Sequence, residues 1–187
     1  DWKFRRLPRT IKRSLQAQCS YLSEVVEQYK NGRNNGLNYR VVRRAAHNTD
    51  ADVASLISTL ATEPDFDPAQ KAQAFEFLCL NHTFISYIAA LGAHRGKIQD
   101  QEVLTLLDKA LDDIQGALLR DEVPDLSAQN MLQTIRQRLS QNNDEDQKAL
   151  IILQQLSLMF SILQQLSRLK QNLSHDHDQH ATELASL

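Results

Sequence analysis

Asp146-Gln-Lys-Ala-Leu-Ile-Ile-Leu-Gln-Gln-Leu-Ser-Leu-Met-Phe-Ser-Ile-Leu-Gln-Gln-Leu-Ser-Arg-Leu-Lys-Gln-Asn-Leu173 is the stretch that decides the fold class. Within it Leu150, Leu153, Leu156, Phe160, Leu163, Leu166, Leu169 and Leu173 follow one another in steps of three and four. Such steps stack side chains on one side of an α-helix, whereas a strand would scatter them over both faces. The stripe predicts a helix over about 144–173. Asp144, Glu145 and Asp146 open it, and their charge suits the positive end of the helix dipole. The plain reading is a helix facing its own core. A coiled-coil seam to a second subunit is the alternative.

Working outward, proline and glycine punctuate the same 3.6-residue pattern. The spacing predicts helices over about 8–31, 37–62, 68–95, 100–120 and 126–141 before the last one. Pro8 suits a first-turn position, Asn31 to Gly36 reads as a turn, and Asp67-Pro68 reads as an N-cap followed by a first-turn proline. Gly96 marks the end of the third helix, and Asp125 or Ser127 the start of the fifth. Alternation of period two never persists. The fold class is therefore all-α, an antiparallel bundle of about six helices in a single domain over 1–173, with 174–187 as a flexible His-rich tail.

Symmetrical short loops set which residues face each other. Glu24 falls opposite Arg44, and Glu27 near Arg40 or Arg43. His47 and Asn48 fall level with Asn81, His82 and Thr83. Asn81 and His82 interrupt an apolar run, so a polar partner from a neighbouring helix is expected, with the group mostly buried. Arg43, Arg44, His47, Asn48, Asn81, His82, Thr83, His94 and Arg95 form the candidate polar cluster, read as a register-fixing network or, alternatively, a ligand pocket.

Charge is unevenly spread. Residues 1–44 hold eleven Lys/Arg against three acids, and the remainder holds ten basic against twenty acidic residues. A basic end on an acidic chain points to an anionic partner. Lys3, Arg5, Arg6, Arg9, Lys12 and Arg13 follow Trp2 and Phe4 at once, the order expected just after a membrane helix. The chain itself holds no run of eighteen consecutive apolar residues. It begins with Asp-Trp-Lys-Phe rather than Met, which reads as a piece of a longer protein.

Two cysteines, Cys19 and Cys79, are too few for a disulfide framework and read as buried thiols. The sequence has no phosphate-binding glycine loop, no CxxC pair and no His-Glu-x-x-His. His175-Asp-His-Asp-Gln-His180 holds metal-ligand types, but it lies beyond the last apolar stripe and reads as a polar tail rather than a metal site. No cofactor, metal or catalytic residue is expected, and the chain reads as no enzyme.

Three stretches together carry a resemblance: Arg5 to Pro8, Tyr39 to Ala51, and Leu78 to Arg95 with its Asn81-His82-Thr83 and Ala93-His94-Arg95 elements. They resemble the C-terminal soluble region of the YccS/YhfK family of inner-membrane proteins, kin of fusaric-acid-resistance and aromatic-acid exporters. The likeness is clearest over about 1–96. It implies membrane helices upstream in the same chain and a bacterial inner-membrane location, with this domain on the cytoplasmic side. The implied function is a module supporting assembly or gating of an exporter-type membrane part. Its implied partners are that membrane part and, weakly, anionic lipid headgroups, with a homo-oligomer as an open alternative. A nucleic-acid-binding or ligand-sensing domain is the competing class. Nucleic acid is not expected, because stacking aromatics are few and no recognition helix is evident.

Overall fold

The computed structural model describes residues 2–34, 36–142 and 146–186, with side chains for all of these except positions 2, 3 and 175–184. Six helices account for nearly all of it: α1 Trp2–Asn31, α2 Leu37–Leu60, α3 Pro68–Ala93, α4 Gln101–Arg120, α5 Ser127–Gln141 and α6 Gln147–Ala185. The all-α expectation holds. Acidic caps set several of the starts. Asp67 accepts from the Gln70 amide ahead of Pro68, and Asp100 accepts from the amides of Glu102 and Val103 at 3.1 and 3.3 Å. Asp125 accepts from the Ser127 amide at 3.0 Å, and Asp146 from the Ala149 amide at 3.2 Å.

Two boundaries differ from the sequence expectation. Pro8 sits inside α1, not in its first turn. Its missing N–H removes one helical bond. Leu7 and Ile11 are buried and Phe4 packs against the core, so apolar burial on both sides of the proline holds the helix together across it. At the other end, α6 continues as helix to Ala185, through the His-rich stretch. The side chains of that stretch lie outside those described.

Contacts give the directions. The groove between α1 and α2 has Arg6, Thr10 and Arg13 facing Thr59, Ser55 and Asp52, an antiparallel pair. α3 runs parallel to α1, with Asn81 beside Gln18, Leu91 beside Tyr29 and Arg95 beside Gln28. α4 lies antiparallel to α1, with Lys30 meeting Asp108 and Pro8 near Leu118. α6 returns alongside α4, with Ser167 on the Ala117 carbonyl and Lys170 on Asp121.

α1, α3, α4 and α6 thus surround a core built from the predicted stripes. On α6, Leu153, Leu156, Leu163, Leu166, Leu169 and Leu173 are buried, which fits the core-facing reading, while Leu150 is turned out. By length and mean hydropathy, α3 and residues 147–174 of α6 each have a window apolar enough to cross a membrane. Here both serve the bundle core, and Asn81 of α3 lies fully inside it.

The register of α1 against α2 departs from the symmetrical-loop expectation by about one turn along most of the pair, and by more beside the loop. Glu24 accepts from Asn38 and Gln28, not from Arg44, and Glu27 accepts from Asn31. The loop explains this. Asn34 folds back onto Gln28, exchanging two hydrogen bonds with it at 3.2 and 3.3 Å, so the chain has already retreated along α1 before α2 begins. Arg40, Arg43 and Arg44 are left on the surface with no ion pair among the described residues.

Candidate functional site

The polar cluster exists, but its membership differs from the expected one. On α1, the stripe that carries Leu7, Ile11, Leu15, Leu22 and Val25 into the core also carries Ser14 and Gln18. On α2, Asp50 shares the inward face with Ala46, Val53, Ile57 and Leu60. On α3, Asn81 shares it with Phe77, Phe84 and Ile88. These polar groups meet at one level of the bundle.

The Asn81 amide donates to Ser14 Oγ at 3.0 Å and to Asp50 Oδ1 at 2.9 Å, while its oxygen accepts from Gln18 Nε2. Asp50 Oδ2 then lies 2.9 Å from His82 Nδ1. A carboxylate oxygen accepts, so His82 Nδ1 is the donor in this pair. The Asp50 side chain is 12% exposed and that of His82 is 68% exposed. Within this cluster Gln18 Oε1 is the buried atom without a hydrogen-bond partner among the described residues.

The expected link from 47–48 to 81–83 is therefore made by Asp50. His47 and Asn48 are exposed, because they fall on the outer side of the helix that turns Ala46 and Asp50 inward. His82 is also exposed, against the expectation of burial. Thr83 donates to the Cys79 carbonyl of its own helix. The missed members Ser14, Gln18 and Asp50 had a readable signal: each is a polar residue standing in an apolar stripe.

A second cluster closes the end of α3. The buried Arg95 guanidinium lies 3.6 Å from the Tyr39 ring centroid. Its Nε donates to Gln28 Oε1 at 2.7 Å and its Nη1 to the Gly92 carbonyl at 2.9 Å. Tyr29 donates to the Leu91 carbonyl at 2.6 Å. Burial pushes the Tyr29 and Tyr21 hydroxyls well above the ordinary tyrosine value, so both stay neutral. At Gly92 side chains of α1 and α2 press directly on the backbone of α3. A Cβ there would meet Tyr39 Oη at 2.9 Å and Val25 Cγ2 at 3.1 Å. His94, the C-cap of α3, is exposed and belongs to neither cluster.

Of the basic start, Arg5, Arg6, Arg9, Lys12 and Arg13 are all exposed, and Lys3 lies outside the described side chains. Arg6 and Arg13 line one groove with Asp52 and Thr10, and Arg9 and Lys12 line another beside Leu118 and Leu119.

The chemistry available is limited by geometry. The His82–Asp50 pair has the form of a general-base dyad. Cys79 precedes it by one turn on the exposed face of α3, contrary to its expected burial, but no hydrogen bond joins it to His82. Cys19 is buried, and burial pushes its thiol up to about 12 against the opposing field of Arg120, so it stays protonated. Among the described residues no three His, Cys, Asp or Glu side chains group as metal ligands do.

An all-α domain results, whose buried polar groups are engaged in tying helices to one another. Two of the stretches that carry the family resemblance meet at two levels of the bundle, through Asp50 with Asn81 inside it and through Tyr39 with Arg95 at the end of α3. Comparison with known proteins agrees. Inner membrane protein YccS of Escherichia coli K12 is 41% identical over 175 residues, 93% of this chain and 24% of that protein. An uncharacterized Haemophilus influenzae protein is 33% identical over 100 residues, 54% of this chain and 14% of its own length. The chain is a homologue of the YccS family. It spans about a quarter of the length of the Escherichia coli relative. No family model matches the sequence, and no solved structure does.

Proposed function

We propose that this chain is the cytoplasmic helical module of a longer inner-membrane protein, and that it supports assembly or gating of an exporter-type membrane part without catalysing a reaction. One observation carries the proposal: 41% identity, sustained over 93% of the chain, to a protein described as an inner membrane protein. The geometry is consistent with it. The exposed arginines and lysines of 5–13 sit together at the start of α1, beside Phe4, where a preceding membrane helix would deliver them against anionic headgroups.

The test uses the full reading frame that contains this chain. A fluorescent reporter fused after Leu187 should glow at the cell envelope, and an alkaline-phosphatase reporter at the same point should be inactive. Active phosphatase would put the module on the other side and overturn the placement. Removing residues 1–187 from the full-length protein should leave it in the membrane but abolish whatever efflux phenotype the intact gene confers.

A further inference from the structure

The basic start of α1 is not one patch. Its exposed cations divide between two grooves on two sides of the helix, and the walls of those grooves differ. Arg6 and Arg13 face α2. Asp52 stands in the same groove, and the Thr10, Thr49 and Thr59 hydroxyls there donate to carbonyls of their own helices. Arg9 and Lys12 face a different groove, of about 430 Å³, walled also by the last turn of α4 and by α6. Lys170 of α6 is the third cation in it, and no acid is among its described walls. Its volume is that of a small-ligand site.

The Lys170 side chain is only 14% exposed, and it donates to Asp121 at 2.7 Å. An ammonium has three donors, so this bond leaves others for a second acceptor. Arg9 and Lys12 are exposed and form no ion pair among the described residues. They stand three residues apart on α1, so their side chains reach the same space. Counting Asp121 against Lys170 still leaves Arg9 and Lys12 unmatched. Beside these cations the walls are apolar. Pro8, Leu15 and Leu118 line the groove, and Leu119 adds a large apolar side chain left 37% exposed. A free inorganic anion gains nothing from such walls, whereas an aliphatic chain does. Cations gathered from two helices suit a phosphate, whose oxygens accept from several donors at once.

We propose that this groove binds one anionic phospholipid, with Arg9, Lys12 and Lys170 on the phosphate and the first carbons of an acyl chain against Leu118 and Leu119. This differs from diffuse attraction of basic residues to a charged surface, because the binding belongs to one groove and includes an apolar contact. It rests on the membrane placement above for the source of the lipid, since residues 9 and 12 lie near the start of α1, the end set at the membrane.

Two experiments on the 187-residue chain test it. The first is flotation with vesicles of phosphatidylcholine and phosphatidylglycerol in equal parts, comparing Arg9→Gln/Lys12→Gln with Arg6→Gln/Arg13→Gln. Each pair removes the same charge from the same helix, so diffuse attraction weakens alike in both. The groove predicts that the first pair loses about tenfold more affinity than the second. Leu119→Ser alters no charge and should weaken binding about threefold. All five positions are exposed, and circular dichroism melts check that each variant is folded. The second experiment titrates the chain with monomeric dihexanoyl phosphatidylglycerol and with glycerol 3-phosphate, followed by amide NMR shifts. The short-chain lipid should move the amides of Arg9, Lys12, Leu119 and Lys170, and glycerol 3-phosphate should bind about tenfold more weakly. Equal losses in the two double variants, or binding indifferent to Leu119→Ser, would overturn the groove and leave diffuse attraction, with the membrane placement untouched. Glycerol 3-phosphate binding as tightly as the short-chain lipid would make the groove a site for a free phosphate ester and overturn the lipid. Absence of binding by either would overturn both. The placement itself fails only in the reporter experiment, so the two failures are distinct.

Discussion

The two faces of α2 invert the usual division of residues. Inward, at Asp50, a carboxylate is almost wholly enclosed and both of its oxygens are hydrogen-bonded. Outward, at Leu37 and Val41, aliphatic side chains stand in solvent beside Arg40 and Arg44, which form no ion pair among the described residues. An enclosed polar group is tolerable only when bonded, and it then penalises every other register of the helices that bond it. An exposed apolar pair gains little within the monomer. The inner face therefore specifies this fold, and the outer face does not.

The sharpest way to break the comparison is at the inner face. Asn81→Leu removes the donor to Asp50 and Ser14 and the acceptor for Gln18. Thermal unfolding should show a loss of about 3 kcal/mol, which for a chain of this size lowers the midpoint by roughly 6–12 °C. Adding Asp50→Leu should restore part of that loss, because an apolar pair leaves no enclosed charge behind. A loss under about 1 kcal/mol for Asn81→Leu would show that the network does not specify the fold.

Arg95 comes next. Arg95→Met should lose about 1–2 kcal/mol with its two hydrogen bonds and its place over Tyr39, and Arg95→Lys should recover less than half, since an ammonium cannot stack or fork in the same way. Equal recovery by lysine would reduce the cluster to simple charge.

A third experiment concerns acid sensitivity at the start of α4. Burial raises the Asp100 carboxyl, but hydrogen bonds from Arg138 and from the Val103 and Glu102 amides outweigh it and hold the group below the ordinary carboxylate range. A value depressed by folding adds stability above the unfolded value near 4, and that stability is lost as pH falls through the folded value. Asp100→Asn should therefore cost about 1 kcal/mol at pH 7, and the difference from the parent should close as pH falls below about 4. A difference that persists at low pH would mean the asparagine disturbs packing instead.

The smallest effect is expected on the outer face. Leu37→Ser and Val41→Ser should each change monomer stability by no more than about 0.5 kcal/mol in dilute solution. A larger loss would show that these two side chains belong to the core after all.

Much of this was legible in the sequence, and the failures have identifiable causes. The α6 stripe, the Asp67-Pro68 start and the Asp100 and Asp125 starts follow from spacing and local capping, which need no tertiary knowledge. The pairing of α2 with α3 at the level of Asn81 was also legible. Symmetrical loops point to His47 or Asn48 as its partner, yet the stripe through Ala46, Val53 and Ile57 places Asp50 inside. Cys79 was misplaced for the same kind of reason, since it shares its face with Phe75 and His82, both turned outward. The register of α1 against α2 was not legible. It depends on Asn34 reaching back to Gln28, a contact that exists only once the loop has folded, and so the arginines of α2 could not be seen to lack their acids.

Gln28 itself has a kinetic consequence. Its amide nitrogen donates to Glu24 and Asn34, and its oxygen accepts from the Asn34 amide and from Arg95. One side chain thus closes the loop after α1 and anchors the end of α3. Neither can detach without stranding the other's partner in a buried place. The amide protons of Gly32, Arg33 and Asn34 and of the segment around Arg95 should therefore exchange with deuterium as one opening unit, ahead of the bundle but not ahead of each other.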